Sequence, residues 1–226
     1  MKYITYFNTL VLKKAVYLVA FILSFSTLQG QDFTANELLN RSITYHDPDG
    51  LWKNFNGSFN VSMESPNRPF RKSKIELNFK DSFFRLTVDS DGNTSVYQLE
   101  DKECLLSYNG ASDFSEEIAD KNRLSCESAK MYRDYYTYLY GLPMKLKDSG
   151  TILNPLVEEK VVDNVSYWKL KVTYEPETGG DTWCFYFDNN IFQLKRYQFF
   201  HDESKNDGEY IVLKNELNVN GIFMPK

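Results

Sequence analysis

The chain of 226 residues carries 31 acidic and 26 basic side chains, a formal net charge of −5, and no block of lysine or arginine. Nucleic acid and anionic membrane surfaces demand clustered basic groups, so the charge argues against both as partners and mainly serves solubility. With 16 Tyr, 17 Phe and 3 Trp against 2 His and 3 Cys, the chain is rich in aromatic bulk and short of the residues that build metal centres and acid–base sites.

The first segment reads as a secretory signal peptide over residues 1–30. Lys2, Lys13 and Lys14 precede an uncharged run from Ala15 to Leu28, which gives way to Gln29, Gly30 and Gln31. That is the charged, apolar and small-residue order of an export signal. The apolar run is about fourteen residues, short of the roughly 20 that span a bilayer, so cleavage after Gly30 is favoured over an uncleaved anchor. No cysteine lies near the boundary to carry a lipid. Removal takes away three lysines and no acid, leaving residues 31–226 more acidic still and of a length that suits one β domain.

A short helix follows. Leu38, Leu39, Ser42 and Ile43 fall at helical spacing in 36–45, with Thr34 as N-cap. His46-Asp47-Pro48-Asp49-Gly50 breaks it. Then the period becomes two. Phe55, Gly57, Phe59, Val61 and Met63 alternate with polar residues; so do Ile75, Leu77 and Phe79, then Phe84, Leu86 and Val88. Asp91-Gly92-Asn93 supplies a hairpin turn, and 95–99 and 103–108 read as further strands. From 111 to 128 the residues are charged and small, with no element assigned. Met131, Tyr135, Tyr138, Leu139 and Leu142 return to helical spacing, predicting a tyrosine-rich helix over 128–140 that ends at Gly141 and Pro143. Trp168, Leu170, Val172 and Tyr174 resume alternation. Gly179-Gly180 turns the chain, and Trp183, Phe185 and Phe187 alternate again. Asp188-Asn189-Asn190 is another turn, and 191–200 and 209–219 complete the meander. The chain ends at a turn into what reads as one more strand, as a truncated chain would. Turns that recur about every 8–15 residues and no parallel βαβ rhythm predict a mostly antiparallel β domain.

An odd cysteine count leaves at least one thiol unpaired. Cys184 lies within a strongly patterned strand, which favours Cys104–Cys126 as a disulfide worth about 3 kcal/mol by loop entropy. Three buried thiols are the alternative. Sequons at Asn40, Asn56, Asn60, Asn93 and Asn164 are chance matches in an asparagine-rich β chain.

Catalytic motifs are missing. The sequence has no HExxH, GxSxG, CxxC, P-loop or GxGxxG. His46 beside Asp47 and Asp49 reads as a helix end followed by an Asp-Pro turn rather than a metal or acid–base site. His201-Asp202-Glu203 reads as a solvated hairpin loop. Asp89–Glu100 (DSDGNTSVYQLE) only partly matches a calcium loop, since Gly92 is misplaced, and a hairpin is favoured. No catalytic residue, metal or cofactor is assigned, and a hydrolase is the remote alternative.

The segments ANELLNRSITYHDPDGLWKNFNGSFNV, LPMKLKDSG, VSYWKLKVTYEPETGGDTWCFYFDNN and NVNGIFMPK, with the order helix, meander, helical insertion, meander, resemble an uncharacterised exported family. That family is similar in architecture to the periplasmic lipoprotein carriers of the LolA/LppX type. The resemblance implies an α+β fold, mainly β with two or three helices. In it a strongly curved antiparallel sheet forms an unclosed half-barrel, with helices on its concave face. It implies a non-enzymatic protein of the periplasm, envelope or exterior of a Gram-negative-type bacterium, no longer an integral membrane protein once cleaved. Such a protein holds a lipid, an acyl chain or a lipidated polypeptide. The lining would come from Phe59, Val61, Leu77, Phe79, Phe84, Leu86, Trp168, Leu170, Val172, Trp183, Phe185 and Phe187, and the lid from Leu39, Ile43, Tyr135, Tyr138 and Leu139. The same aromatic faces also suit a dry core, which would make the chain an envelope structural or protein-interaction module. A one-residue register error would swap every lining assignment.

Overall fold

The computed structural model describes residues 33–225. The segment read as a signal peptide lies outside the described residues. Residues Ala35–Lys226 form one compact unit, and the fold below is that of this unit. Among the described residues no helix is long and apolar enough to cross a membrane.

The unit is mainly β. Helix α1 (Ala35–His46) comes first. Five strands follow, β1 (Asn56–Ser65), β2 (Arg68–Asn78), β3 (Phe83–Ser90), β4 (Asn93–Glu100) and β5 (Glu103–Tyr108). They form an antiparallel sheet in that order. Helices α2 (Glu116–Asn122) and α3 (Cys126–Tyr140) separate it from a second sheet. That sheet is built of β6 (Thr151–Val162), β7 (Val165–Tyr174), β8 (Thr182–Asp188), β9 (Leu194–Phe200) and β10 (Glu209–Val212), again antiparallel in chain order. A small ribbon of β11 (Leu217–Val219) and β12 (Ile222–Met224) ends the chain. Neither sheet closes on itself.

Register turns the alternation of the sequence into faces. On the first sheet Phe59, Ile75, Leu86, Tyr97 and Leu106 form one cross-strand row, and Gly57, Leu77, Phe84, Leu99 and Cys104 the next. Ile75, Leu77, Phe84 and Leu86 are buried, and burying a side chain of that size contributes about 1.5–3 kcal/mol. On the second sheet Val157, Leu170, Phe185 and Tyr197 align, beside Leu153, Val172, Trp183 and Phe199. The opposite face of that sheet carries a smaller cluster of Cys184, Tyr186 and Phe200. There the Arg196 guanidinium lies 5.6 Å from the Tyr186 ring centre and 4.6 Å from that of Tyr210.

Several boundaries differ from the sequence expectation, each for a local reason. The tyrosine helix begins at Cys126 rather than 128, because the Ser125 side chain caps it by accepting from the Ser128 N–H. The charged stretch before it contains α2, capped by Ser115, a helix too short and polar to show a buried stripe. Strand β6 carries no clean alternation: its register slips between Leu153 and Val157, around Pro155. The expected strand over 191–200 starts only at Leu194, because the Asp188 carboxylate accepts from the N–H groups of Asn190 and Ile191 and prolongs the turn. The expected strand over 209–219 is split into β10 and β11, with Asn215 in the left-handed region at φ 52°.

Candidate functional site

Helix α3 carries tyrosines on more than one face, and the two faces do different things. Ala129, Tyr132, Tyr136 and Tyr140 recur at three or four residues and pack onto the apolar face of the first sheet. The Tyr140 ring lies 4.4 Å from that of Phe59. A disulfide between Cys104 of β5 and Cys126 ties the helix start to the same sheet, with Cα atoms 5.9 Å apart, and Cys184 stays a buried free thiol. At the other end the Gly141 N–H donates to the Thr137 carbonyl, and a Cβ at Gly141 would meet the Trp52 ring at 2.5 Å.

Tyr138, two residues on from Tyr136, points away from the first sheet and meets the second. Its ring stands edge-on to Trp183 at 5.4 Å, and its hydroxyl shares a short hydrogen bond with the Tyr174 hydroxyl. Burial, reinforced by Tyr174, holds the Tyr138 phenol far above its ordinary range, and burial pushes Tyr174 up to about 12. Both stay neutral at physiological pH. Trp183 is stacked on Phe185 at 5.9 Å and tilted against Tyr197 at 5.7 Å and Phe199 at 5.1 Å. Tyr138, Tyr174, Thr178, Gly179, Gly180, Asp181 and Trp183 enclose an open cavity of about 240 Å³. Asp181 forms its polar rim and accepts from, or pairs with, His201 Nδ1 at 2.8 Å, which raises the exposed imidazole's pKa.

The residues singled out in the sequence divide into three groups. Leu77, Phe84 and Leu86 are fully packed in the first-sheet cluster, with Phe59, Val61 and Phe79 at its margin. Leu170, Val172, Phe185 and Phe187 are buried on the second sheet, while Trp183 and Trp168 are half-buried, the Trp168 indole N–H donating to the Asn189 carbonyl at 3.3 Å. Of the residues assigned to lids, Leu39 is buried, Ile43, Tyr138 and Leu139 are half-buried, and Tyr135 is half exposed. The half-buried aromatics around Tyr138 and Trp183 are the ones open to a cavity. Sequence reasoning missed Tyr174 and the 178–181 loop as wall elements. The Gly179-Gly180 pair was legible as a turn, but nothing in it says that the turn borders a helix forty residues earlier.

The remaining candidates are structural. His46 is buried between backbone groups, and the Asp47 carboxylate accepts from the N–H groups of Leu51 and Trp52 at 2.7 and 3.0 Å. Asp89–Glu100 takes in the end of β3, a two-residue turn with Asp91 and Gly92 at positive φ, and the whole of β4, which carries Glu100 to the far end of the hairpin. Its carboxylates therefore do not converge as a calcium loop requires. Among the described residues no group of three His, Cys, Asp or Glu is placed to hold a metal ion. What the aromatic cavity offers is ring surface with neutral hydroxyls and, at its rim, the Asp181 carboxylate, which suits binding an apolar group against the rings.

A family described as one of unknown function (DUF6503) matches residues 13–226. Among curated proteins nothing matches the chain.

Proposed function

This chain belongs to that family of unknown function, and we propose that it is an exported, non-enzymatic binding protein for an apolar ligand, a lipid, an acyl chain or a lipidated polypeptide. In this reading residues 1–30 direct export to the periplasm or envelope of a Gram-negative-type bacterium. The two sheets act as an incompletely closed half-barrel of the lipoprotein-carrier kind, with helices across its concave side. One observation carries the proposal: Tyr138 of α3, edge-on to Trp183 of β8 and bonded through its hydroxyl to Tyr174 of β7, borders with both of them an open cavity. Large aromatic rings gain most from excluding water, and ligand pockets are mainly apolar with few polar groups. At about 240 Å³ the cavity falls below the roughly 300–1,000 Å³ of drug-sized sites. It admits the end of a chain or one ring, and a larger ligand enters as the Tyr138–Tyr174 pair parts.

Native mass spectrometry of the exported chain, with lipid extraction alongside, tests this. The expected result is a stoichiometric adduct that releases an acyl-chain compound and is lost in Trp183→Asp, with the circular dichroism spectrum retained. A clean apo mass together with no uptake of a fluorescent fatty acid overturns the proposal. It would favour the dry-core interaction module, to which the full burial of Phe84, Phe185 and Phe187 is equally suited.

A further inference from the structure

The apolar face of the first sheet has a polar end. Beyond the row that contains Leu86 lies Val61–Ser73–Val88–Ser95–Tyr108, and beyond that Met63–Arg71–Ser90–Asn93. Ser73 and Ser95 are buried at 3% and 7% exposure, and Arg71 is half-buried among them. An arginine on a core-facing row is costly unless its charge is met.

Within the protein that charge is only partly met. Arg71 donates from Nε to the Ser73 hydroxyl at 3.0 Å and from Nη2 to the Tyr136 hydroxyl at 3.3 Å, and its guanidinium lies 5.6 Å from the Tyr132 ring centre. A guanidinium has five N–H donors. Among the described residues no carboxylate forms an ion pair with Arg71. It opens instead onto a cavity of about 170 Å³ lined by Ser90, Ser95, Tyr97, Asn122 and Tyr132, with no acid in its wall. Arg123 adds to the positive field, since both arginines act to lower the Tyr97 phenol against the burial that pushes it up to about 12.

We propose that the Arg71 cavity receives an oxyanion, a carboxylate or phosphate group, and that this group is the head of the amphiphile whose apolar part lies against Trp183. The second half rests on the binding function proposed above. A planar fork with unspent donors, flanked by hydroxyls, recognises carboxylate and phosphate oxygens in two-point geometry. Both sites adjoin α3: Arg71 bonds the Tyr136 hydroxyl, and Tyr138, two residues on, stands edge-on to Trp183 at 5.4 Å. Helix α3 therefore meets Arg71 on one face and the aromatic cavity on another.

The test compares decanoate with 1-decanol, equal tails with and without the charge, by tryptophan fluorescence titration of the exported chain at pH 7.5. Inorganic phosphate is titrated separately and read from the Ser90 and Ser95 amide resonances. Decanoate is expected to bind at least about tenfold more tightly than decanol, the gain from one charge-assisted hydrogen bond. Arg71→Gln is expected to erase that preference while decanol binding is kept. If Arg71→Gln melts early, Arg71→Lys, which keeps the charge and loses the fork, is to reduce the preference in the same direction. Equal binding of acid and alcohol in the parent overturns the oxyanion site and leaves the apolar reading standing. A preference unaffected by either variant also overturns it. Phosphate shifts that vanish in the variant, with neither amphiphile bound, uphold the oxyanion site as one for a free anion and overturn the link to an apolar tail. No response to any of the three overturns both.

Discussion

The His46 ring is 2% exposed and spends both nitrogens on the backbone: Nδ1 lies 2.7 Å from the Phe223 carbonyl, and Nε2 lies 2.9 Å from the Leu194 N–H. The partners dictate the tautomer, since a carbonyl only accepts and an amide only donates. Nδ1 therefore carries the proton, and Nε2 must keep its lone pair. Protonating Nε2 would set donor against donor, and burial, the largest influence, lowers the pKa from 6.5; Lys195 acts with it, and the Phe223 carbonyl and Glu216, 3.4 Å from Nδ1, act against it. The sign follows. Below about pH 6.5 the unfolded chain binds a proton that the folded ring resists, so stability is complete above that pH and declines as pH falls toward the folded pKa. Thermal melts of the parent and His46→Gln from pH 8 to 5 isolate this contribution from other titrating groups. The variant should be less stable at pH 7.5, by roughly 1–3 kcal/mol for a backbone partner left unsatisfied. The gap should narrow toward pH 5. A gap that widens on acidification would mean that the buried ring is charged, paired with Glu216.

At the scale of elements, α3 is held at both ends by different chemistry. The disulfide closes a loop with a sequence separation of 22, for which loop entropy predicts about 3 kcal/mol. Urea unfolding of the Cys104→Ala/Cys126→Ala chain should show that loss, and a loss below about 1 kcal/mol would place the restraint in the packing of Tyr132 and Tyr136 instead. At its C-terminal end Tyr138→Phe removes only a hydroxyl bonded to Tyr174, worth about 0.5–1.5 kcal/mol. Stopped-flow uptake of a fluorescent fatty acid should quicken in this variant if the pair restrains entry, and an unchanged rate would remove α3 from the path. Much of this element was legible in the sequence: the tyrosine spacing marked a helix, Gly141 marked its end, and the strand around Cys184 favoured Cys104–Cys126. The Ser125 cap and α2 were not, because a seven-residue polar helix buries too little to leave a periodic trace. Period two placed Trp168, Leu170, Val172, Trp183, Phe185 and Phe187 on one face, as the ladder pairs do. It carried no information on Tyr174 or Arg71 as site residues, because their roles depend on which strand ends lie beside α3.

At the scale of the whole unit, the two sheets have separate apolar faces, yet α3 touches both: Tyr136 is buried against the first and Tyr138 stands on Trp183 of the second. Helix α1 adds a second link, since His46 bonds both β9 and β12, and Ile222 and Met224 of β12 pack into the first-sheet cluster. Each sheet therefore buries surface against elements that the other also needs, the condition for all-or-none unfolding. Tryptophans report the two halves separately. Trp52 lies in the first-sheet cluster, and Trp168 and Trp183 lie on the second sheet. Denaturant curves of Trp52→Phe and of Trp168→Phe/Trp183→Phe, each read against far-ultraviolet circular dichroism, should share the transition of their own chain's backbone signal. If the second-sheet tryptophans instead change at lower denaturant than the backbone signal, that sheet opens independently. A ligand would then reach the aromatic face through movement of β6–β10, with α3 and its disulfide remaining fixed on the first sheet.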